Sequence, residues 1–286
     1  CWLRDASMTI ETLFKIGHSG AARKFMRFIQ SSFMADHEDF QIMYGIHGEK
    51  KLTEVILSHL EGYRGSRPVR IGNDAYHQRQ TDSFGYLMDL IYRYFTLMPG
   101  TLGELEDIWE MVKGIADTVE RSWFLPDKGI WEIRGEEQHF VSSKVMCWVA
   151  MDRGARIARI LHKHHYSERW TAMASRIKED VMKNGWNEDI CSFTQAYGNT
   201  FMDSSLLLME TYGFIEATDA RYRSTVKAVK EALLHNGLMY RYTAADDFGK
   251  PTSAFTICTF WMIAALHATG EKEEARRLFD NVLQHT

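Results

Sequence analysis

A glutamate directly follows a tryptophan at Trp131–Glu132, inside the acidic stretch DKGIWEIRGEEQHF at residues 127–140. The stretch also carries Asp127, Glu136 and Glu137. A carboxyl group walled by an indole is partly desolvated, which favours its protonated form and makes it a candidate proton donor. Other segments hold a matching chemistry. Near the start lie Trp2, Arg4 and Asp5; residues 60–82 hold Tyr63, Arg67, Arg70, Asn73, Gln78, Gln80 and Asp82. Arg134 follows Glu132, Ser143 and Lys144 come soon after, Gln195 and Tyr197 lie further on, and Tyr240, Arg241 and Tyr242 come last. Aromatic faces can cover the C–H side of a sugar ring, while forked donors, amides and carboxylates bind its hydroxyl groups. Hydrolysing a glycosidic bond then requires one carboxylic acid for the leaving oxygen and a second carboxylate for water or direct attack. Taken singly, each group has a plain structural reading. Arg4–Asp5 is a helix cap with an ion pair, and Tyr240 and Tyr242 are packing.

The elements that must position these groups are helical. Proline is rare, at 4 residues, and apolar residues recur with helical period near 6–17, 20–34, 81–97, 102–122, 142–163, 167–183, 203–212, 219–234, 254–268 and 271–284. Asp5, Asp203 and Asp219 stand where N-caps belong, and Gly17 and Gly270 where helices end. Connections after the odd-numbered helices are short, whereas those near 35–80, 123–141, 184–202 and 235–253 are long. Short connections make antiparallel hairpins, so the long loops emerge at one end, together with CWLRD at residues 1–5. All the sugar-compatible groups fall on that rim. The odd helices are the more apolar, notably at 206–209 and 255–266, and are expected to be buried all round, inside an outer ring of even helices. The result is an all-α toroid with about five hairpins.

Bulk properties narrow the rest. The chain has 286 residues, 45% hydrophobic and 13% aromatic, enough for a sizeable core. A net charge of -4 argues against a nucleic-acid partner, and no apolar run has membrane-span length. Cys1, Cys147, Cys191 and Cys258 form no CxxC pair and read as free thiols of a reducing, cytoplasmic compartment. The HKHH run at 162–165 reads as favourable charge at a helix C-terminus rather than a metal site, and EKEEARR at 271–277 as a solvated face. No metal or cofactor is expected.

The order of CWLRDA, GYRGSRPVRIGN, DKGIWEIRG, HFVSSKVMCWVAMDR, FTQAYGN–MDSSLLLM and FTICTFWMIAAL resembles glycoside hydrolase family 15, across nearly the whole chain. It looks closest to the prokaryotic glucoamylase-like and trehalase-like branch. The resemblance implies an (α/α)6 toroid, a six-hairpin barrel, whose catalytic domain spans residues 1–286 here. It also implies inverting exo-hydrolysis of an α-glucosidic bond with release of β-glucose, glucoamylase-like in the first instance and trehalase as the alternative. The partner is then an oligo- or disaccharide α-glucoside. Glu132 takes the place of the general acid, and Trp2, Arg4, Asp5, Tyr63, Arg67, Trp131, Arg241 and Tyr242 the place of substrate-binding residues. Three departures accompany the match. The fungal Trp of the second loop is missing where Ser66 meets Arg67; PTSAF stands where prokaryotic relatives have GEGAF; and the base-bearing segment after the tenth helix, the last hairpin and the N-terminal β-sandwich are not in these residues. The acid is thus expected without its partner, a non-catalytic sugar-binding toroid is the competing reading, and the open toroid is expected to expose apolar flanks.

Overall fold

The computed structural model describes residues 1–34, 40–98, 100–133, 135–246 and 249–285; Arg134 lies outside them. These described residues form ten α-helices: α1 Leu3–Lys15, α2 Ser19–Met34, α3 Asp82–Leu97, α4 Leu102–Ser122, α5 Val141–Ile160, α6 His164–Asn184, α7 Leu208–Thr211, α8 Ala220–Leu233, α9 Thr256–Ala268 and α10 Lys272–Val282. Three two-residue antiparallel ladders lie in the long loops: β1 Val55–Ile56 with β2 Arg70–Ile71, β3 Trp186–Asn187 with β4 Ser192–Phe193, and β5 Leu234–His235 with β6 Leu238–Met239. Such short pairs leave no readable alternation in a sequence.

Local chemistry explains the boundaries. The Thr101 hydroxyl accepts from Glu104 N while the Glu104 carboxylate accepts from Thr101 N, a reciprocal cap at the start of α4. Asp219 accepts from Arg221 N at the start of α8. Asp5 does not cap α1, because Trp2 holds the cap position and Asp5 stands in the first turn, where the helix dipole favours a carboxylate. The segment 203–212 is not one helix. Asp203 opens a 3-10 turn over Ser204–Leu207, α7 adds four residues, and Gly213 at φ +74° ends it. The histidines also move from their expected place: α5 stops at Ile160, so His164 and His165 begin α6.

The odd helices start at one end of the molecule. Trp2 bridges Met43, Phe140 bridges Ala196, and Asp203 bridges Tyr242. Arg4 reaches Gln80 and Asp82, and Val141 N donates to Gln195 O at 3.0 Å. The long loops and the N-terminal segment are therefore one rim. Helices α3 and α5 are buried along most of their length, and Gly85 allows their close approach. Helix α9 departs from the expectation of all-round burial. Phe255, Ile257 and Phe260 are exposed, because among the described residues no further helix covers that side.

Candidate functional site

A cleft of ≈ 290 Å³ opens on the rim between the start of α1 and the start of α9. Arg4, Asp5 and Met8 line it from α1; their spacing of three and four residues sets Arg4 and Met8 on a common side. Ile130, Trp131 and Glu132 line it from the loop after α4, Arg241 from the loop after α8, and Phe255, Ile257 and Trp261 from α9 and its cap. A larger cleft of ≈ 520 Å³ between α5 and α6, lined by Trp148, Asp152, Arg156 and Lys178 among others, shares none of these residues.

Arg4 organises one wall. Its side chain is only 5% exposed, and its guanidinium makes a 2.8 Å ion pair with Asp82 and a 3.1 Å hydrogen bond to Gln80. Asp82 is buried at the start of α3, and burial without Arg4 would be strongly unfavourable. The other edge of the guanidinium turns to the cleft, 3.6 Å from the Glu132 carboxylate and 3.8 Å from Asp5. Arg4 also lies over the Trp2 ring at 5.6 Å. Trp2 thus acts behind Arg4 rather than on the cleft surface. Asp5 is 69% exposed and free to meet a ligand.

Glu132 sits in a tight turn: its N–H meets Gly129 O at 3.4 Å and Ile133 N meets Lys128 O at 3.2 Å. Its φ of +57° lies in the left-handed region, which a non-glycine residue adopts at a cost of about 1–3 kcal/mol and which clusters at functional sites. The turn aims the carboxylate at the cleft, where it is 35% exposed. Trp131 is not simply a wall against Glu132. Its indole N–H donates to both carboxylate oxygens of Asp203, at 2.9 and 3.0 Å, and its ring packs near Tyr242, Phe255 and Trp261 at 5.9–6.1 Å. Arg241 packs over Tyr242 at 5.4 Å, and the Tyr242 hydroxyl donates to Asp246.

The base of the Glu132 loop is clamped. Asp127 is buried and accepts from Thr81 N at 2.9 Å and Thr81 Oγ1 at 3.0 Å, while its backbone pairs with Gln138. Burial, reinforced by nearby Asp82, pushes the Asp127 carboxyl up to about 6. Lys144 is buried too, donates to the carbonyls of Trp123 and Leu125, and is lowered by desolvation.

Glu132, Trp131, Arg4, Asp5 and Arg241 therefore meet at one cleft, with Trp2 and Tyr242 immediately behind. Tyr63 and Arg67 do not. Tyr63 is 79% exposed on the long second loop, stacked under Arg64, and Arg67 is exposed there as well. Asn73 caps a short turn by accepting from Ala75 N, Arg70 pairs with Glu54, and the Tyr197 hydroxyl donates to Asp180 of α6. Sequence reasoning missed the apolar wall of Met8, Phe255, Ile257 and Trp261. The i,i+4 spacing of Ile257 and Trp261 was a usable signal, but it reads equally as core. It also missed the anchoring part of Asp203, read only as a cap.

The glycosyl hydrolases family 15 model matches residues 1–285. The trehalase of Mycobacterium tuberculosis is 40% identical over 288 residues, which is 99% of this chain and 42% of the relative. Trehalase 1 of Sulfolobus acidocaldarius is 34% identical, again over 99% of this chain and 49% of its own length. The chain thus spans less than half of the curated relatives it matches. Among solved structures, a wild-type glycosidase superposes with a TM-score of 0.73 at 20% identity, covering 97% of this chain and 72% of that one. A bacterial glucoamylase complexed with acarbose does so at 0.69 and 14% identity, covering 94% and 41%. These likenesses show an all-α, α/α-toroid fold. The chain belongs to family 15 of the glycosyl hydrolases.

Proposed function

We propose that this chain is the acid-bearing part of a glycoside hydrolase that cleaves the α-glucosidic bond of a short glucoside, with trehalose as the favoured substrate. The observation that carries the reading is the meeting of Glu132 with Arg4 and Asp5 at a cleft walled by Trp131 and Trp261. Aromatic faces cover the ring of a bound glucose, and Asp5, Arg4 and Arg241 take its hydroxyl groups. Glu132, turned into the cleft by its left-handed backbone, delivers a proton to the leaving oxygen as the C–O bond breaks. Inversion requires a second carboxylate ~6.5–9.5 Å away across the sugar, holding water. In the family pattern that group comes from a segment after the tenth helix, and the reading assigns it there. Trehalose is favoured over starch-type substrates because the relatives at 32% identity and above are named trehalases, whereas the glucoamylases are similar in fold. The glucoamylase-like expectation is therefore the second choice.

The test uses the full-length protein with trehalose, maltose and soluble starch, reading released glucose and its anomer by NMR. β-Glucose from one half of trehalose is expected. Release from maltose and starch only would move the assignment to glucoamylase, and binding without release would leave a sugar-binding toroid. Glu132→Gln is expected to reduce kcat on the order of a hundred- to ten-thousand-fold; undiminished turnover removes Glu132 from the mechanism.

A further inference from the structure

The Trp131 side chain carries a single polar group, the indole N–H, and it is engaged by Asp203. Asp203 is buried and draws donors from three segments of the rim. Besides Trp131, its carboxylate accepts from Gln195 Nε2 at 3.0 Å, from Ser205 N at 2.8 Å and from Ser205 Oγ at 2.6 Å. Its backbone bridges Tyr242, whose ring lies beside the Trp131 ring with centroids 5.9 Å apart. We propose that Asp203 is a positioning residue: it locks the Trp131 indole with its face toward the cleft and thereby sets the Cα of the next residue, Glu132, in its left-handed turn. The inference rests on the catalytic reading of Glu132 given above.

Two consequences follow from the geometry. With its N–H held, Trp131 offers a ligand only ring surface, so this wall of the cleft recognises the C–H face of a pyranose and no hydroxyl group. Every donor to the carboxylate comes from a neutral group. The anion is therefore held by hydrogen bonds aimed at fixed points, which suits orientation of a neighbouring ring. Losing the anchor lets the indole turn and shifts Glu132, an effect on the chemical step more than on binding.

The experiment compares Asp203→Asn, Trp131→Phe and the double variant in the full-length protein. Phenylalanine keeps a ring face and removes the N–H. Hydrogen exchange of the Trp131 indole N–H, identified in ¹⁵N spectra by its loss in Trp131→Phe, is expected to be slow in the wild type and at least about tenfold faster in Asp203→Asn. Each single variant is expected to lower kcat about tenfold with a smaller change in KM, and the double variant to match the worse single. Losses that multiply, or unchanged kcat and exchange in Asp203→Asn, overturn the proposal. Should Asp203→Asn fail to fold, Trp131→Phe decides by itself, since unchanged kcat there also overturns it. A wild type that hydrolyses no α-glucoside defeats the catalytic reading, while the exchange measurement still decides whether Asp203 holds Trp131.

Discussion

Buried charge at this rim is placed by neutral and cationic partners one residue at a time. Arg4 is shared between buried Asp82 and the cleft carboxylates Glu132 and Asp5, so its two edges differ: one is buried against Asp82, the other faces the cleft. Among the described residues Asp127 has no cation at hydrogen-bond distance; Thr81 supports it directly, and Ser143 and Lys144 help to hold the charged form. Its carboxyl consequently rises from 3.8 to about 6 through burial. A carboxyl whose folded value lies above its unfolded one binds its proton more tightly in the folded state. Its contribution therefore favours folding at low pH and is lost as pH rises through about 6, by ~3 kcal/mol in all. Asp127→Asn removes that dependence. Melting temperatures of wild type and variant across pH 4–7 should diverge in the variant's favour as pH rises; parallel curves would show that another group titrates.

At the scale of elements, the loop carrying Trp131 and Glu132 is pinned by what flanks it rather than by its own sequence. Lys144 of α5 holds the carbonyls of Trp123 and Leu125 at one end, and Asp127 pairs with Gln138 to close the loop. The helices behind it must approach closely to keep the N-termini on one rim. At Gly85 in α3, an added methyl group would stand 2.2 Å from Met146 O of α5, a backbone atom that cannot turn aside. Gly85→Ala should destabilise the fold by roughly 1–3 kcal/mol or more through overpacking, read as a lower urea midpoint. Gly20→Ala in α2 is the control. Nothing lies within 4 Å of the added atom, so the change should be neutral or stabilise by up to about 1 kcal/mol. Equal losses at both positions would mean that the α3–α5 approach is not limiting.

Across the whole molecule, apolar surface remains open on the α9–α10 side. Phe255 is 47% exposed, and Phe260 and Phe279 form an exposed edge-to-face pair with centroids 6.3 Å apart. At the other flank Ile16 is 66% exposed. Exposed apolar flanks of this kind favour association. Expressed as these 286 residues, the chain should self-associate at micromolar concentration in sedimentation velocity, and Phe260→Ser with Phe279→Ser should shift it toward monomer. A monomer in both cases would show that these faces are too small to drive association. Among the described residues no helix is long and apolar enough to cross a membrane.

Helical period, short odd connections and long even ones already placed most of the elements and gathered the long loops on one rim, because a helix writes its buried face into local spacing. Glu132, Arg4, Asp5 and Arg241 were legible for the same reason, each lying next to a helix start or in a long loop on that rim. Tyr63 and Arg67 were equally legible and yet stand away from the cleft, because a long loop's path is decided by what it packs on. The division of 203–212 into a 3-10 turn and a short helix, the exposure of α9 and the second role of Asp203 follow from contacts between residues far apart in the chain. No local pattern records that Asp203 meets Trp131 across 72 positions, or that Arg4 meets Asp82 across 78. Sequence alone determined most of the helices and their order and, through the family resemblance, the choice of Glu132 as the expected proton donor. Only the tertiary structure decided which carboxylates are buried as anchors and which face the cleft, since burial depends on how separate elements close on one another.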